Sequence, residues 1–551
     1  MTMNASPQAH GWNFANAWEA IAERVPDAPA QLQGERTFTW SAMDRRADGI
    51  ARVLLDSGAS EQDKVALYLH NCPEYMETVF ALFKAGLVPV NTNYRYSADE
   101  LVYLWDNADA VAVVFHGTFA ERIDPLRHRV PAVKTWLWVD DSTGGCPPWA
   151  VPYEAAASAA SSADSARTVA PWGRRGEHLL LLYTGGTTGM PKGVMWQQTD
   201  LLGSLDATSK RRLPPEEDLD ALGERITGPG PRNLPAAPLM HGTGLFNAMT
   251  NMLAAGCIVT MEGRHFDPVE LLDTIERRRI TSMSIVGDAF AKPILRALDA
   301  EPTRWDFSSL RVVVSSGVMW SAESKAGLLR HNERLIMVDA LGSSEAIGMA
   351  QNTVSKDGAS GGTAKFELGP FTKVLTEDGR EVTPGSSERG RVALRGFTPV
   401  GYYKDPEKSA STFQVFDGVR WSIPGDWAEV EADGSVRLLG RGSQCINTGG
   451  EKVYPEEVEE VLKEHPSVAD AAVIGVPDER FGQAITALVE PHVGFEVDEA
   501  ALIAHVKARL AHYKAPKRVL PLATVGRAAN GKLDYRQLTS DALERFDPPA
   551  R

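Results

Sequence analysis

The sequence predicts an α/β protein: a large N-terminal, multi-lobed body with two α/β sheets plus a small β-rich lobe, then a small α+β domain. Three observations predict it. Short apolar runs alternate with amphipathic helical segments from Phe38 to Phe115 and again from Gly256 to Val314, the pattern of a parallel or mixed sheet with helical crossovers. After about Gly390 the texture changes to short strands with hairpin turns. Beyond Gly440, about 110 residues form a compact run of helices and strands, enough for a domain of its own.

Each element has its own warrant. Ser41 can cap a helix whose apolar positions Met43, Ala47, Ile50 and Leu54 recur at helical spacing, and Gly58 ends it. KVALYL from Lys64 reads as a strand, PEYMETVFALFK from Pro73 as a helix closing at Gly86, and VPVNTN from Val88 as strand and turn. SADELVYLWDNAD from Ser97 is a helix and AVAVVF from Ala110 a strand. CIVTM at Cys257, PVELLDTIERRRI at Pro268, TSMSIV at Thr281 and RVVVSSG at Arg311 repeat the style. Residues 142–176, rich in Ala, Ser, Pro and Gly, predict a solvated surface excursion; residues 207–233, charged and broken by Pro and Gly, also read as a loop. GRVALRG, WSIPGDWAEVEADGSV and SVRLLG read as strands, with turns at Asp417-Gly418 and Asp433-Gly434. PEEVEEVLKEH, with Pro455 at a helix start, AAVIGV, AITALVE and EAALIAHVKARLAHY compose the small domain. The boundary is expected between Gly440 and Ser443, dividing the chain into 1–440 and 441–551.

Composition narrows the function. The 551 residues carry 57 Lys and Arg against 72 Asp and Glu, a formal charge of −15, which argues against a nucleic-acid or anionic-membrane surface. Cys72, Cys146, Cys257 and Cys445 form neither a CxxC pair nor a zinc spacing, so a reducing compartment is expected. The N-terminus lacks a basic stretch followed by an apolar one, and apolar runs such as HLLLLY are too short to span a bilayer. The expectation is a cytoplasmic enzyme without an integral membrane segment, with a homodimer left open.

The most informative stretch is LLLLYTGGTTGMPKGVMW, residues 179–196. An apolar strand runs directly into Thr184, Gly185, Gly186, Thr187, Thr188 and Gly189, followed by Lys192. Glycines let backbone N–H groups approach anionic oxygens, and hydroxyls and an ammonium add donors: this is phosphate-cradling chemistry. It is not a Walker loop, because Pro191 precedes Lys192 and no Ser or Thr follows, and GxGxxG is absent.

The ten residues TGGTTGMPKG match one motif in order, and here the chain resembles the adenylate-forming superfamily of acyl- and aryl-CoA ligases, peptide-synthetase adenylation domains and firefly luciferase. The resemblance runs from about Phe38 to Leu538. It implies that the loop holds the triphosphate of ATP. In PLMHGTGLF, Pro238, His241 and Gly244 match the pattern PxxHxxG, which places His241 at the acyl-pocket wall. VVVSSGVMW and DALGSSEAIGMA resemble the adenine loop and the YGxTE motif. Gly317, Val318, Ala340, Leu341, Gly342, Ser343 and Ser344 would then border the nucleotide, Asp339 would accept from the adenine amino group, and Glu345, with Thr184, would hold Mg²⁺. Leu341 stands where the family has Tyr, and Ser344 where it has Thr.

WSIPGDWAEV resembles Y-x-T-G-D, with Trp421 for Tyr and Pro424 for Thr; Asp426 would accept from the ribose hydroxyls. GRGSQCINTGGEKVYPEEVEEVL opens the small domain: Arg441 would bind ribose, Ser443 occupies the hinge position, and Gly449 and Gly450 admit the pantetheine arm of CoA. Lys532, after Asn530-Gly531, matches the catalytic lysine of the family's GK signature.

The resemblance implies the acyl-CoA synthetase/luciferase-like fold with a mobile C-terminal domain, and a two-step ligation. A carboxylate attacks the α-phosphorus of Mg-ATP to give acyl-AMP and pyrophosphate; the small domain rotates about Ser443, and CoA thiolate takes the acyl group. Met240–Phe246 and Ile285–Phe290 are mostly apolar and small, and VGDAFAKPIL resembles synthetases acting on fatty or sterol side-chain acids, so the expected substrate is a lipophilic carboxylate. Two alternatives stay open: an acyl-AMP ligase serving a carrier-protein thiol or an amine, and a non-catalytic acyl-nucleotide sensor.

Overall fold

In a computed structural model of the chain, the described residues are 11–160, 166–186, 189–209, 213–214, 217–318, 320–356, 358–359, 365–441, 446–448, 451–478, 482–510, 512–528 and 533–546. They divide into two compact units, one of residues 1–360 with 394–422 and the other of residues 361–393 with 423–551. Among them, no helix is long and apolar enough to cross a membrane.

The first unit holds two sheets. In one, the order is Gly401–Tyr402, Gly189–Gln197, Leu179–Gly186, Val88–Asn91, Lys64–Tyr68, Ala110–His116, Thr135–Val139 and Val151–Pro152. From Leu179–Gly186 onward its strands are parallel, and the first two run antiparallel to their neighbours. The other sheet orders Arg36–Thr39, Pro29–Gln33, Cys257–Thr260, Arg232–Pro235, Ser282–Ile285, Val312–Ser316, Ile336–Ser343 and Ala346–Ser355. Only its outermost pairings, at each end, are antiparallel within this stretch. The alternation in the sequence therefore produces two parallel-cored layers.

The predicted helices form, with local corrections. Trp40–Asp56 is capped by Thr39 rather than Ser41: the Thr39 hydroxyl accepts from Ala42 N–H at 3.1 Å from an extended backbone, while Ser41 already lies in the first turn. Ser97 and Glu100 close a capping box on Ala98–Asn107. Gly86, at φ +64°, ends the helix Pro73–Lys84 where a Cβ would sit 2.5 Å from the Trp172 indole nitrogen.

Two expected loops are structured. Within 142–176, Val151–Pro152 joins the sheet edge and Tyr153–Ala157 is a short helix whose Tyr153 and Ala157 are buried. The alanines let this backbone settle onto Gly49, whose missing Cβ would meet the Ala156 carbonyl at 2.5 Å. Within 207–233, Leu219–Arg225 is helical, and Arg232 begins an interior strand. That strand escapes an apolar reading because it carries the buried Asn233, whose amide nitrogen donates to Asn247 and Ser282 at 2.8 and 2.9 Å. Helix Phe14–Arg24, capped by Asn13, lies outside the elements expected from the sequence.

In the second unit, Asp426–Val430 pairs antiparallel with Val436–Arg441, across the turn expected at Asp433-Gly434. Val468–Asp478 pairs antiparallel with Gly482–Pro491, which pairs parallel with Arg518–Pro521. Helices Pro455–Lys463, Glu499–Lys507 and Tyr535–Phe546 accompany them, and the core is built on Val458, Leu462, Val473, Ile485 and Leu502.

Candidate active site

Parallel strands release their carboxyl ends at one edge, the usual place for a ligand in an open α/β sheet. From the first sheet that edge carries Asn71, Asn91 and the Gly/Thr loop; from the second it carries His241, Gly287, Gly317 and Glu345.

The Gly/Thr loop is the tip of a hairpin rather than the start of a helix. Leu179–Gly186 and Gly189–Gln197 pair antiparallel, with Thr184 opposite Lys192 and Gly186 opposite Gly189. Thr187 and Thr188 lie outside the described residues, and Gly185, Gly186 and Gly189 are described as backbone only. The Lys192 ammonium forms an ion pair with Asp405.

Asn91 braces this hairpin. Its buried amide accepts from Tyr183 N–H at 2.6 Å and donates to the Tyr183 carbonyl at 2.9 Å and to the Met240 carbonyl at 2.7 Å. One side chain thus ties the residue before Thr184 to the residue before His241. Asn71 acts similarly, donating to the Pro235 and Ala237 carbonyls and accepting from Leu239 N–H at 2.7 Å. His241 is the half-buried N-cap of helix Gly242–Met252. Gly244 is required there by contact: a Cβ would lie 2.4 Å from the Pro238 carbonyl oxygen, so the chain can double back over Pro238 only without a side chain. This is the physical content of the PxxHxxG spacing.

The Glu345 station is a tight turn between Ile336–Ser343 and Ala346–Ser355. Trp196, on the returning strand of the phosphate hairpin, donates its indole N–H to the Ser344 carbonyl at 2.8 Å, which joins the two hairpins. The Ser343 hydroxyl accepts from Glu345 N–H at 3.2 Å, and Ser422 donates to the Glu345 carbonyl at 2.7 Å. Tyr402 donates its hydroxyl to the Glu345 carboxylate at 2.7 Å. Asp339 is buried and ion-paired with Lys325 at 3.3 Å; burial raises its carboxyl to about 6, against the pull of Lys325. A carboxylate has lone pairs for a further donor, so this pairing is compatible with an adenine amino group. Gly317 is exposed at φ +98°, Val318 is half-buried, and Ala340, Leu341 and Gly342 are half-buried along the strand.

Among the described residues, no group of three or more His, Cys, Asp or Glu could hold a metal ion. A Mg²⁺ would fit here in its usual manner, on one carboxylate such as Glu345 with the remaining positions filled by phosphate oxygens and water.

In the second unit, Asp426 is buried at the head of its strand and pairs in register with Arg441, whose side chain is not described. Gly440, at φ +110°, leaves room for Glu456: a Cβ would lie within 2.1 Å of its carboxylate. Ser443, Gly449, Gly450 and Lys532 lie outside the described residues. The chain flanking Lys532 is held on both sides, by Arg527 on Asp470 at 2.5 Å and by the Tyr535 hydroxyl on Glu459 at 2.9 Å.

Sequence reasoning passed over Asn71, Asn91, Tyr402 and Asp405. For Asp405 a local signal existed: Asp405-Pro406-Glu407 is a strong helix start, and Asp405 caps Pro406–Thr412.

With this geometry in place, the class is plain: the chain belongs to the AMP-binding enzyme family, whose model matches residues 18–403, with the AMP-binding enzyme C-terminal domain matching residues 457–532. It is 38% identical to the medium/long-chain-fatty-acid–CoA/3-oxocholest-4-en-26-oate–CoA ligase of Mycolicibacterium smegmatis, over 97% of both chains. It is 36% identical to the 3-oxocholest-4-en-26-oate–CoA ligase of Rhodococcus rhodochrous, over 95% of both. Among solved structures, ATP-bound MatB from Rhodopseudomonas palustris superposes with a TM-score of 0.79 at 25% identity, covering 97% of this chain and all of that one.

Proposed function

We propose that the chain is an AMP-forming acyl-CoA ligase that activates a lipophilic carboxylic acid, a medium- or long-chain fatty acid or a bulky sterol side-chain acid, as acyl-AMP and passes the acyl group to CoA. The observation that carries it is the joining of three stations in one unit: the phosphate hairpin, the His241 segment through Asn91, and Glu345 through Trp196. The near full-length likeness to fatty-acid and 3-oxocholestenoate CoA ligases supports the acid class and the acceptor.

In this reading Thr184 to Lys192 hold the β- and γ-phosphates, with Thr184 and Glu345 on the metal side. A bound Mg²⁺ supplies charge neutralisation for the phosphates. Asn91 fixes the hairpin against the His241 segment, so that phosphate and acid approach in one register, which is the positioning this reaction needs. Gly317, Val318 and Ala340 to Ser344 border the adenine, with Asp339 accepting from its amino group; Asp426 and Arg441 hold the ribose. Residues 441–551 form the mobile domain, turning about Ser443. Lys532 stabilises charge at the α-phosphate in the first step; in the second, Gly449 and Gly450 admit the pantetheine arm.

The test is a screen for CoA-dependent AMP release with acetate, benzoate, C8 to C18 fatty acids and steroid side-chain acids. Turnover is expected with the longer fatty acids or the steroid acids. Strict preference for acetate or a charged aryl acid overturns the acid class. Pyrophosphate release with no thioester on adding CoA transfers the second step to another acceptor, and failure of ATP–pyrophosphate exchange with every acid leaves a sensor.

A further inference from the structure

The ion pair between Lys192 and Asp405 joins two groups of unequal freedom. Asp405 is fixed. Its carboxylate accepts from Lys408 N–H at 2.9 Å as the cap of Pro406–Thr412, and its carbonyl accepts from the Ser409 hydroxyl at 2.6 Å. The chain leading to it is held by Gly401 and Tyr402, which pair with Met195 and Val194, by Tyr402 on Glu345, and by Tyr403 and Lys404 on Asp109 at 2.7 and 2.8 Å. Lys192, 41% exposed, offers an ammonium on a flexible four-carbon stem. The pairing draws the Asp405 carboxyl below its ordinary range.

Asp405 therefore cannot follow Lys192 to a ligand, and the fixed carboxylate competes with a phosphate for the charge and donors of the ammonium. We propose that Asp405 is an intramolecular competitor for the triphosphate: it holds Lys192 in the ligand-free protein, lowers affinity for ATP, and recaptures the ammonium as pyrophosphate departs. This rests on the reading that Lys192 holds the β- and γ-phosphates.

The experiment is calorimetric titration of ATP and of pyrophosphate into Asp405→Asn, Lys192→Met and the double variant, at two ionic strengths. Asn is a competent N-cap, so the variant removes the charge and keeps the helix start; Asp405→Ser, another neutral cap, is the second variant should the first fail to fold. For a partly exposed pair, Asp405→Asn is expected to tighten both ligands about two- to fivefold, with the gain shrinking in high salt. Lys192→Met is expected to weaken both, and the double variant to show no gain over Lys192→Met. Unchanged or weaker binding by Asp405→Asn, beside weaker binding by Lys192→Met, overturns the proposal and leaves the site reading standing. A gain kept in full without Lys192 also overturns it, since Asp405 would then act by repulsion alone. Lys192→Met without effect on either ligand overturns the underlying reading, and the proposal with it.

Discussion

Two buried polar systems in the first unit differ in kind. At the carboxyl edge of the first sheet, the neutral amides of Asn71 and Asn91 hold loops together by hydrogen bonds to backbone. Among the helices Phe14–Arg24, Trp40–Asp56 and Pro73–Lys84, a fully buried Lys84 instead faces Glu19, Asp44 and Asp48 at 2.7, 2.6 and 3.0 Å. Arg174 adds an ion pair to Glu19 at 2.7 Å, Arg167 one to Asp44 at 3.2 Å, and Thr168 donates its backbone N–H to Asp48. The ionic cluster fastens the segment after residue 165 onto the helices. The amides join loop to loop and, in the proposed reading, set the register in which reactants meet. Charge holds the later segment to the helices; neutral amides hold the loops that carry the Gly/Thr hairpin and His241.

The sharpest break of this contrast is Lys84→Met. Removing the cation leaves buried Asp48 with no counter-charge among the described residues and Glu19 and Asp44 with only Arg174 and Arg167, and a loss of about 3–5 kcal/mol is expected in denaturant unfolding. Turnover of the fraction still folded is expected to stay within about twofold, a change of under about 0.5 kcal/mol. A specific loss of adenylation at full stability would erase the distinction.

Asn91→Asp reverses the pattern. One carboxylate oxygen can still accept from Tyr183 N–H, but nothing donates to the Tyr183 and Met240 carbonyls. A cost of about 2–3 kcal/mol is expected for the unsatisfied carbonyls and buried charge. ATP–pyrophosphate exchange should fall about tenfold or more, while thioester formation from preformed acyl-AMP changes far less. Equal loss in both half-reactions would make Asn91 a structural residue only.

Acid probes the same edge. His116 accepts from the His70 backbone N–H at 3.0 Å, and burial lowers His116 to about 3 and His70 to about 4. Unfolded histidine titrates near 6.5, so between that value and the folded ones the unfolded chain binds more protons. Stability is present above about 6.5 and is lost as pH falls through the window, by about 3 kcal/mol for the pair at pH 5.5. His116→Asn, whose amide oxygen can take the same N–H without titrating, should halve that loss in melts compared at pH 7.5 and 5.5.

The difference between the two systems also explains what could be read in advance. The Gly/Thr loop was legible because its chemistry is local: the glycines, hydroxyls and Lys192 all lie within Thr184–Gly193. The alternating strands and helices were legible for the same reason. Asn91 was not, because its partner Tyr183 lies 92 positions on and an Asn ending a strand reads as a turn. Asp405 and Lys192 are 213 positions apart. The Ala-rich excursion was misread because small residues signal a loop in sequence, yet allow close packing in three dimensions, as at Gly49.

Between the charged cluster and the neutral braces stands the contact of Tyr402 with Glu345, a neutral donor on the carboxylate read as the metal side of the site. Tyr402→Phe removes the hydroxyl alone. The ring keeps its packing beside Phe413, at 5.9 Å between centroids, and the backbone keeps its pairing with Val194. A stability change of about 1 kcal/mol or less is expected, since one hydrogen bond is lost and the carboxylate is only half-buried. What should move is the metal requirement. A carboxylate held by one donor presents its other oxygen in a single direction, and a freed carboxylate samples several before a cation can use it. The Mg²⁺ concentration for half-maximal ATP–pyrophosphate exchange is expected to rise about threefold, with little change at saturating Mg²⁺. Glu345→Gln, titrated alongside, should raise it much further. If Glu345→Gln shifts the titration and Tyr402→Phe does not, the hydroxyl serves the turn rather than the metal, and Tyr402 joins Lys84 among the residues that only hold.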